Sequence, residues 1–289
     1  MSAHPVFNAG HTALITGASC GIGLEITKFC AAQGMSVLLA DIKQPPMAEL
    51  SASYPDTILR YVNCDISSQA GWDQLATSAN SDNVFSGGIN LLVLNAGTAP
   101  GLTAQTNSSQ WAEDVMLKTF KTNVFGVGLG ISTFMPMLDV AARNEKPTAV
   151  VITGSKQGIT NPPGNVSYNA SKAAVKSMAE QLNFELRKSS TTVHLLVPGW
   201  TFTGMTGSST SSEKPAGAWS PCQVVEYMVK KMTEGQFYII CPDNEIDETI
   251  DKKRMIWAMG DVVHGRQPLS RWREDTKDMA AEGIETMEI

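Results

Sequence analysis

Seven short runs, several of them almost continuously apolar, limit this chain to few folds. Residues 12–16, 36–41, 58–65, 90–95, 149–153, 193–197 and 237–241 are rich in Val, Ile and Leu. Apolar runs of that length without polar alternation fit strands buried on both faces of a parallel sheet. Helix-length segments at 23–32, 69–79, 110–125 and 167–187 lie between them. The alternation predicts an α/β fold, a doubly wound parallel sheet of about seven strands with right-handed crossovers and helices on both faces. The 289 residues show no internal repeat and no domain-scale linker, so a single domain over 1–289 is expected.

Two segments break the rhythm. Residues 199–221 are rich in Gly, Ser and Thr, with Trp200, Phe202, Met205 and Trp219 among them. A loop that long in a compact domain is often functional, and it is expected to cover a substrate. Residues 247–289 follow the last run and read as a helical extension. Trp257, Met259 and Trp272 predict that this extension packs on its own domain or on a neighbouring subunit.

Composition narrows the function. The net charge is −6 and no Lys/Arg run stands out. That argues against nucleic acid or an anionic membrane as partner. No run reaches the roughly 18 uninterrupted apolar residues of a membrane span, and no secretory leader is visible over residues 1–10. The five cysteines form no C-x-x-C pair and read as reduced thiols, which fits a cytoplasmic location. His4, His11, His194 and His264 have no partner at metal-ligand spacing, so no metal is expected.

The first strand runs into Thr16-Gly17-Ala18-Ser19-Cys20-Gly21-Ile22-Gly23, and a helix follows. Glycines allow a tight turn and close backbone approach. A helix start offers free N–H groups and a positive dipole end, which suit a pyrophosphate. Gly17, Ser19, Cys20, Gly21, Ile22 and Gly23 are therefore candidate cofactor contacts. Asp41 ends the second strand, with Ile42 beside it. A carboxylate there accepts ribose hydroxyls and repels a 2′-phosphate, which favours NAD over NADP. Lys43 nearby softens that preference. Asp65 and Ile66 end the third strand; Asp65 faces an adenine amino group, caps the next helix, or does both. Asn95, Ala96 and Gly97 end the fourth strand and leave room for a ligand.

Tyr168 and Lys172 are four apart, on one face of a helix. Ser155 lies 13 residues upstream of Tyr168, just past a strand end. A strand end and the next helix can bring a hydroxyl, a phenol and an ammonium to one point.

With these motifs the chain resembles the short-chain dehydrogenase/reductase family. The pattern T-G-x-x-x-G-x-G recurs at Thr16 to Gly23 and N-A-G at Asn95 to Gly97. The active-site Asn, Ser, Tyr and Lys recur as Asn123, Ser155, Tyr168 and Lys172. A P-G turn recurs at Pro198 and Gly199, followed by Thr201 and Thr203 as further expected cofactor contacts. The resemblance implies a Rossmann fold and hydride transfer between a nicotinamide cofactor and a small-molecule alcohol or ketone. It implies Tyr168 as general acid/base, Ser155 on the substrate oxygen, and Asn123 holding a water in a relay to Lys172. The segment between Asn123 and Ser155 is lengthened at 141–148, which leaves room for a second role, a buried Asn bonding backbone.

A free tyrosine has a pKa near 10. Lowering it by about three units takes roughly 4 kcal/mol. An ammonium about 4 Å away at an effective dielectric near 20 supplies about that much, and Lys172 is the candidate. Gln157, Trp200, Phe202 and Met205 are the expected substrate contacts, for an apolar secondary alcohol or ketone. The resemblance also implies a homodimer or homotetramer through the helix at 167–187. Other reactions on this fold, those of epimerases, dehydratases and cyclases, are alternatives. So is a non-enzymatic nucleotide sensor.

Overall fold

The seven apolar runs become seven strands of one sheet. The computed structural model describes residues 4–100, 111–207 and 213–289. The strands are β1 Thr12–Thr16, β2 Ser36–Asp41, β3 Leu59–Asn63, β4 Leu91–Leu94, β5 Thr148–Thr153, β6 Thr191–Val197 and β7 Tyr238–Ile240. Their order is β3-β2-β1-β4-β5-β6-β7, with every neighbouring pair parallel. The predicted doubly wound sheet is thus the observed one. β1 lies between β2 and β4, so the winding reverses there and a crevice opens at the carboxyl ends.

Helices cover both faces. They are α1 Gly21–Ala32, α2 Met47–Ser53, α3 Gln69–Ser81, α4 Glu113–Phe120, α5 Gly126–Arg143, α6 Gln157–Thr160, α7 Val166–Glu185 and α8 Pro221–Thr233. One core packs Ile26, Cys30, Met35, Val224 and Met228 against one face of the sheet. The other packs Trp72, Leu75, Phe134, Leu138 and Ala179 against the opposite face.

The helix expected at 110–125 is longer than its sequence suggests, and Gln110 lies outside the described residues. A π-helical turn, Lys121–Phe125, joins α4 to α5. The result is one helical run of 31 residues, Glu113–Arg143. Glycines and an internal Pro136 obscure its second half in the sequence. By length and apolarity alone this run could cross a membrane. One face of it packs into the core, where Val127, Phe134, Met137 and Leu138 are buried. A Cβ on Gly130 would sit 2.6 Å from the Trp72 ring, so the glycine permits the close approach.

The extension forms α9 Glu248–Val263, a 3-10 turn Ser270–Trp272 and α10 Lys277–Thr286. It has its own small core of Trp257, Ala280 and Ile284. The Trp257 indole donates to Ser270 Oγ at 2.8 Å, and Arg266 stacks 4.0 Å from the ring. Of the three residues expected to pack, only Trp257 does so fully. Met259 is 63% and Trp272 41% exposed.

Candidate active site

Thr16 stitches the crevice together. Its hydroxyl accepts from the backbone N–H of Asn95 at 2.9 Å and of Ala96 at 3.1 Å. The Asn95 side chain donates back to Thr16 O at 3.2 Å. Gly17 and Gly21 both take positive φ, +66° and +56°. A Cβ on Gly17 would lie 2.8 Å from Ala96 Cα. Gly23 does not line the cleft: its absent Cβ would fall 2.1 Å from Gly17 O. Its role is to let α1 pack on the turn, which corrects the expectation of a direct cofactor contact.

The turn then presents the start of α1. Cys20 is the N-cap and provides no side-chain cap, so the first-turn N–H groups of Gly21 and Ile22 face the cleft without a side-chain acceptor. That is an anion site by dipole and by donors. Asp41 stands at its edge. Its Oδ2 accepts from Ser19 N at 3.0 Å and Ser19 Oγ at 2.7 Å, and its Oδ1 accepts from Lys43 N at 3.0 Å. Lys43 meets Asp41 through its backbone, and among the described residues no ion pair joins the two side chains. These groups fit a dinucleotide: open N–H donors for the pyrophosphate and a carboxylate for a ribose.

Asp65 does not cap α3. Its Oδ1 accepts from Ser67 N at 2.9 Å, and the cap is Ser68, which accepts from Gly71 N at 3.2 Å. The Asp-before-Ser spelling allows either, and the later hydroxyl is the one within reach of the third helical N–H. Asp65 and Ile66 still line the cleft, as do Ile42, Asn95, Ala96 and Gly97.

Ser155 follows β5, and Tyr168 stands in the first turn of α7. The Ser155 hydroxyl faces the Tyr168 phenol in the cleft and favours its ionised form. It also accepts from Gln157 N at 3.2 Å. Lys172 Nζ donates to Thr153 O at 2.7 Å and sits 5.8 Å from the Tyr168 ring centroid. Burial pushes the Tyr168 phenol up, against the opposing pull of the Ser155 hydroxyl. Burial also lowers the Lys172 ammonium to about 8. In the site as it stands burial therefore outweighs the expected lowering of Tyr168 by Lys172. Both charged forms lose hydration in the same dry pocket, and that outweighs their attraction.

Asn123 is fully buried in the π-helical turn. Its Oδ1 accepts from Thr98 N at 2.8 Å, and its Nδ2 donates to Thr98 O at 2.9 Å and Ser171 Oγ at 2.9 Å. The side chain brackets the loop after β4 to α7. The side chain thus takes the backbone-bonding role, and no direct hydrogen bond joins it to Lys172 among the described residues.

Pro198, Gly199, Thr201, Thr203 and Met205 line the same cleft, of about 1160 Å³. Thr203 packs against the first turn: a Cβ on Gly21 would lie 3.1 Å from its methyl. Trp200, Phe202 and Gln157 do not line it. Residues 200–202 run extended beside Trp219, with Trp219 N donating to Trp200 O and Phe202 N to Trp219 O, both at 2.8 Å. Alternation along an extended segment sends Thr201 and Thr203 inward and the aromatic rings away. Gln157 is engaged by Asn165 Nδ2 at 3.2 Å. Trp219 packs on Tyr227 at 5.7 Å, so that end of the loop is anchored. Residues 208–212 of it lie outside the described residues. α4 supplies a further wall of the cleft, including Asp114, Leu117 and Lys118. Helical spacing places these on one face, but nothing in the residues marks the face as lining a cleft.

Residues 11–214 match the short chain dehydrogenase family. An uncharacterized oxidoreductase of Mycobacterium tuberculosis is 31% identical over 205 residues, 69% of this chain and 76% of its own. A rhamnolipids biosynthesis 3-oxoacyl-[acyl-carrier-protein] reductase of Pseudomonas aeruginosa is 32% identical over 203 residues, 68% and 75% of the two chains. The fold is that of a Burkholderia phymatum short chain dehydrogenase/reductase solved with NAD, at TM-score 0.74 and 24% identity over 91% of this chain and 97% of that one. The Pseudomonas aeruginosa RhlG/NADP active-site complex superposes at TM-score 0.70 with 26% identity, over 83% and 98%. With the Gly-rich turn, the Ser155–Tyr168–Lys172 cluster and this match in hand, the chain is a member of the short-chain dehydrogenase/reductase family of oxidoreductases.

Proposed function

We propose that this protein is an NAD(H)-dependent oxidoreductase interconverting a secondary alcohol and a ketone on an apolar small molecule. The observation that carries the reading is the grouping of Ser155, Tyr168 and Lys172 in the cleft that Gly21 and Asp41 also line, with Lys172 Nζ 5.8 Å from the Tyr168 ring centroid. The cofactor, when bound, gives or takes the hydride at its nicotinamide ring. Tyr168 passes the proton at the substrate oxygen, and Ser155 donates a hydrogen bond to that oxygen as charge develops. Lys172 supplies the nearest fixed positive charge for a Tyr168 phenolate. Thr153 O holds its ammonium in place. Leu117, Pro100 and Met205 give the cleft an apolar side.

Asp41 supports NAD as the cofactor, because a 2′-phosphate would meet its carboxylate. Lys43, Lys118 and Lys121 also border the cleft and support NADP as the second reading. Incubating the protein with either reduced cofactor and a panel of ketones, and following the nicotinamide absorbance, tests the function. Substrate-dependent loss of the reduced form is expected, and its absence with both cofactors across the panel would overturn the assignment. A homodimer or homotetramer is supported by an apolar hollow of Val124, Phe125, Gly128, Leu129 and Met178 between α5 and α7. Five free thiols support a cytoplasmic location.

A further inference from the structure

Ser155 and Gly158 flank Lys156 on one short segment, and both touch the catalytic helix. Ser155 faces Tyr168 in the cleft. Gly158 lies so close to α7 that a Cβ would sit 2.5 Å from the Lys172 carbonyl carbon. The Lys156 side chain goes to charged partners beyond β7. Its ammonium donates to Asp243 Oδ2 at 3.4 Å and forms an ion pair with Asp251 of α9. The three side chains are only 15%, 11% and 4% exposed. Asp243 Oδ2 also accepts from Trp200 N at 3.4 Å, and its Oδ1 accepts from Ile246 N at 2.9 Å. Gly199 lies beneath: a Cβ there would be 2.8 Å from Lys156 Nζ and 3.0 Å from Asp243 Oδ2. One ammonium thus sits where the ends of β5, β6 and β7 meet the extension.

We propose that Lys156, gripped by Asp243 and Asp251, is a positioning residue that fixes the Ser155 segment and the Gly199–Trp200 backbone, so that the extension after β7 completes the catalytic end. The link to catalysis rests on the Ser155–Tyr168 reading above; the positioning itself does not. Removing Lys156 leaves two buried carboxylates without their cation, and removing Asp251 takes away the ion pair that ties this segment to α9. Small displacements of reacting groups are costly, about a hundredfold in rate for an ångström.

The test is amide hydrogen exchange on the full chain with Asp251→Asn, and with the double variant Lys156→Gln/Asp251→Asn, which leaves Asp243 on its backbone donors. Faster exchange confined to residues 155–160 and 199–202, with the β1–β4 core unchanged, is expected in both. Unchanged exchange in those segments, or faster exchange everywhere, would overturn the proposal. With any ketone that the wild type turns over, Asp251→Asn should lose about tenfold or more of kcat, with the cofactor KM within about threefold. Lys156→Arg should recover most of the rate lost in Lys156→Met, and an unaltered kcat in Asp251→Asn would also overturn the proposal. A wild type that binds reduced nicotinamide but turns over no ketone counts against the proposed reaction, and the exchange data still decide on Lys156.

Discussion

Ser19 donates to Asp41 twice, from its backbone N–H at 3.0 Å and its hydroxyl at 2.7 Å. The carboxylate proposed to read the ribose therefore also braces the turn proposed to receive the pyrophosphate. Asp41→Ala should lower the preference for NADH over NADPH by about tenfold or more, since about 1.4 kcal/mol of lost discrimination suffices. Ser19→Ala should weaken both cofactors without changing their ratio. Titrating each variant with both reduced cofactors checks this. An unchanged ratio in Asp41→Ala would remove the basis for NAD.

Tyr168→Phe keeps the ring and deletes the hydroxyl that Ser155 faces. Turnover should fall by between about a hundredfold and ten-thousandfold. Cofactor affinity should change little, because the ring stays in place. Steady-state kinetics with a cofactor titration measures both, and near-normal turnover would exclude Tyr168 as the proton donor.

Lys172 carries a stability signature as well as a catalytic one. Burial lowers its pKa from 10.5 to about 8, so between these values the folded chain binds fewer protons than the unfolded one. Stability should rise with pH across that window, by roughly 3 kcal/mol, and the buried ammonium should cost that much below about 8. In Lys172→Met this contribution should vanish from the difference between variant and wild-type denaturation curves. The activity optimum of the same variant should move upward, since Tyr168 loses its nearest positive charge. A flat difference curve would show that Lys172 stays fully protonated in the fold.

His4 and His194 stack edge to face with ring centroids 5.6 Å apart. Burial first, and His194 second, lowers His4 to about 4; burial lowers His194 too. Neutral forms are favoured in the fold, so stability is full above the unfolded value of 6.5 and declines as the pH falls toward about 4. His4→Gln should make that decline shallower. Urea unfolding at neutral pH and near pH 5 tests it, and an equal loss in both proteins would exclude this pair as the cause.

A methyl group on Gly23 would collide with Gly17 O at 2.1 Å and Asn95 Nδ2 at 2.7 Å. Gly23→Ala should destabilise by about 1–3 kcal/mol and weaken cofactor binding, because the turn must open to accept it. Thermal unfolding and a cofactor titration measure the two effects. An unchanged Tm would show that the turn is loose.

The sheet was legible because burial on both faces writes itself as uninterrupted Val, Ile and Leu. Strand ends were less so: the run at 58–65 yields only Leu59–Asn63, since beyond it Cys64 makes a last backbone bond to Asp41 and the chain leaves the sheet. Tyr168, Lys172 and Ser155 could be found because short local spacings carry them to one place. Lys156 could not, because its partner Asp243 is 87 residues downstream and nothing local marks the pair. Trp200 and Phe202 lie outside the cleft lining, and aromatic content alone does not mark this, because their setting depends on the bridge between Thr201 and Trp219. Asn123 was found as a residue, but its partners depend on a π-helical turn that has no sequence mark.

The sheet ends on one side at β7, only three residues long, and on the other at β3, where Arg60 points outward and pairs with Asp82. An unpaired strand edge is a template for another chain, and short length and charge are the usual protections. Both borders of this sheet carry one of them. Crowded or concentrated folded molecules should therefore resist edge-to-edge strand addition.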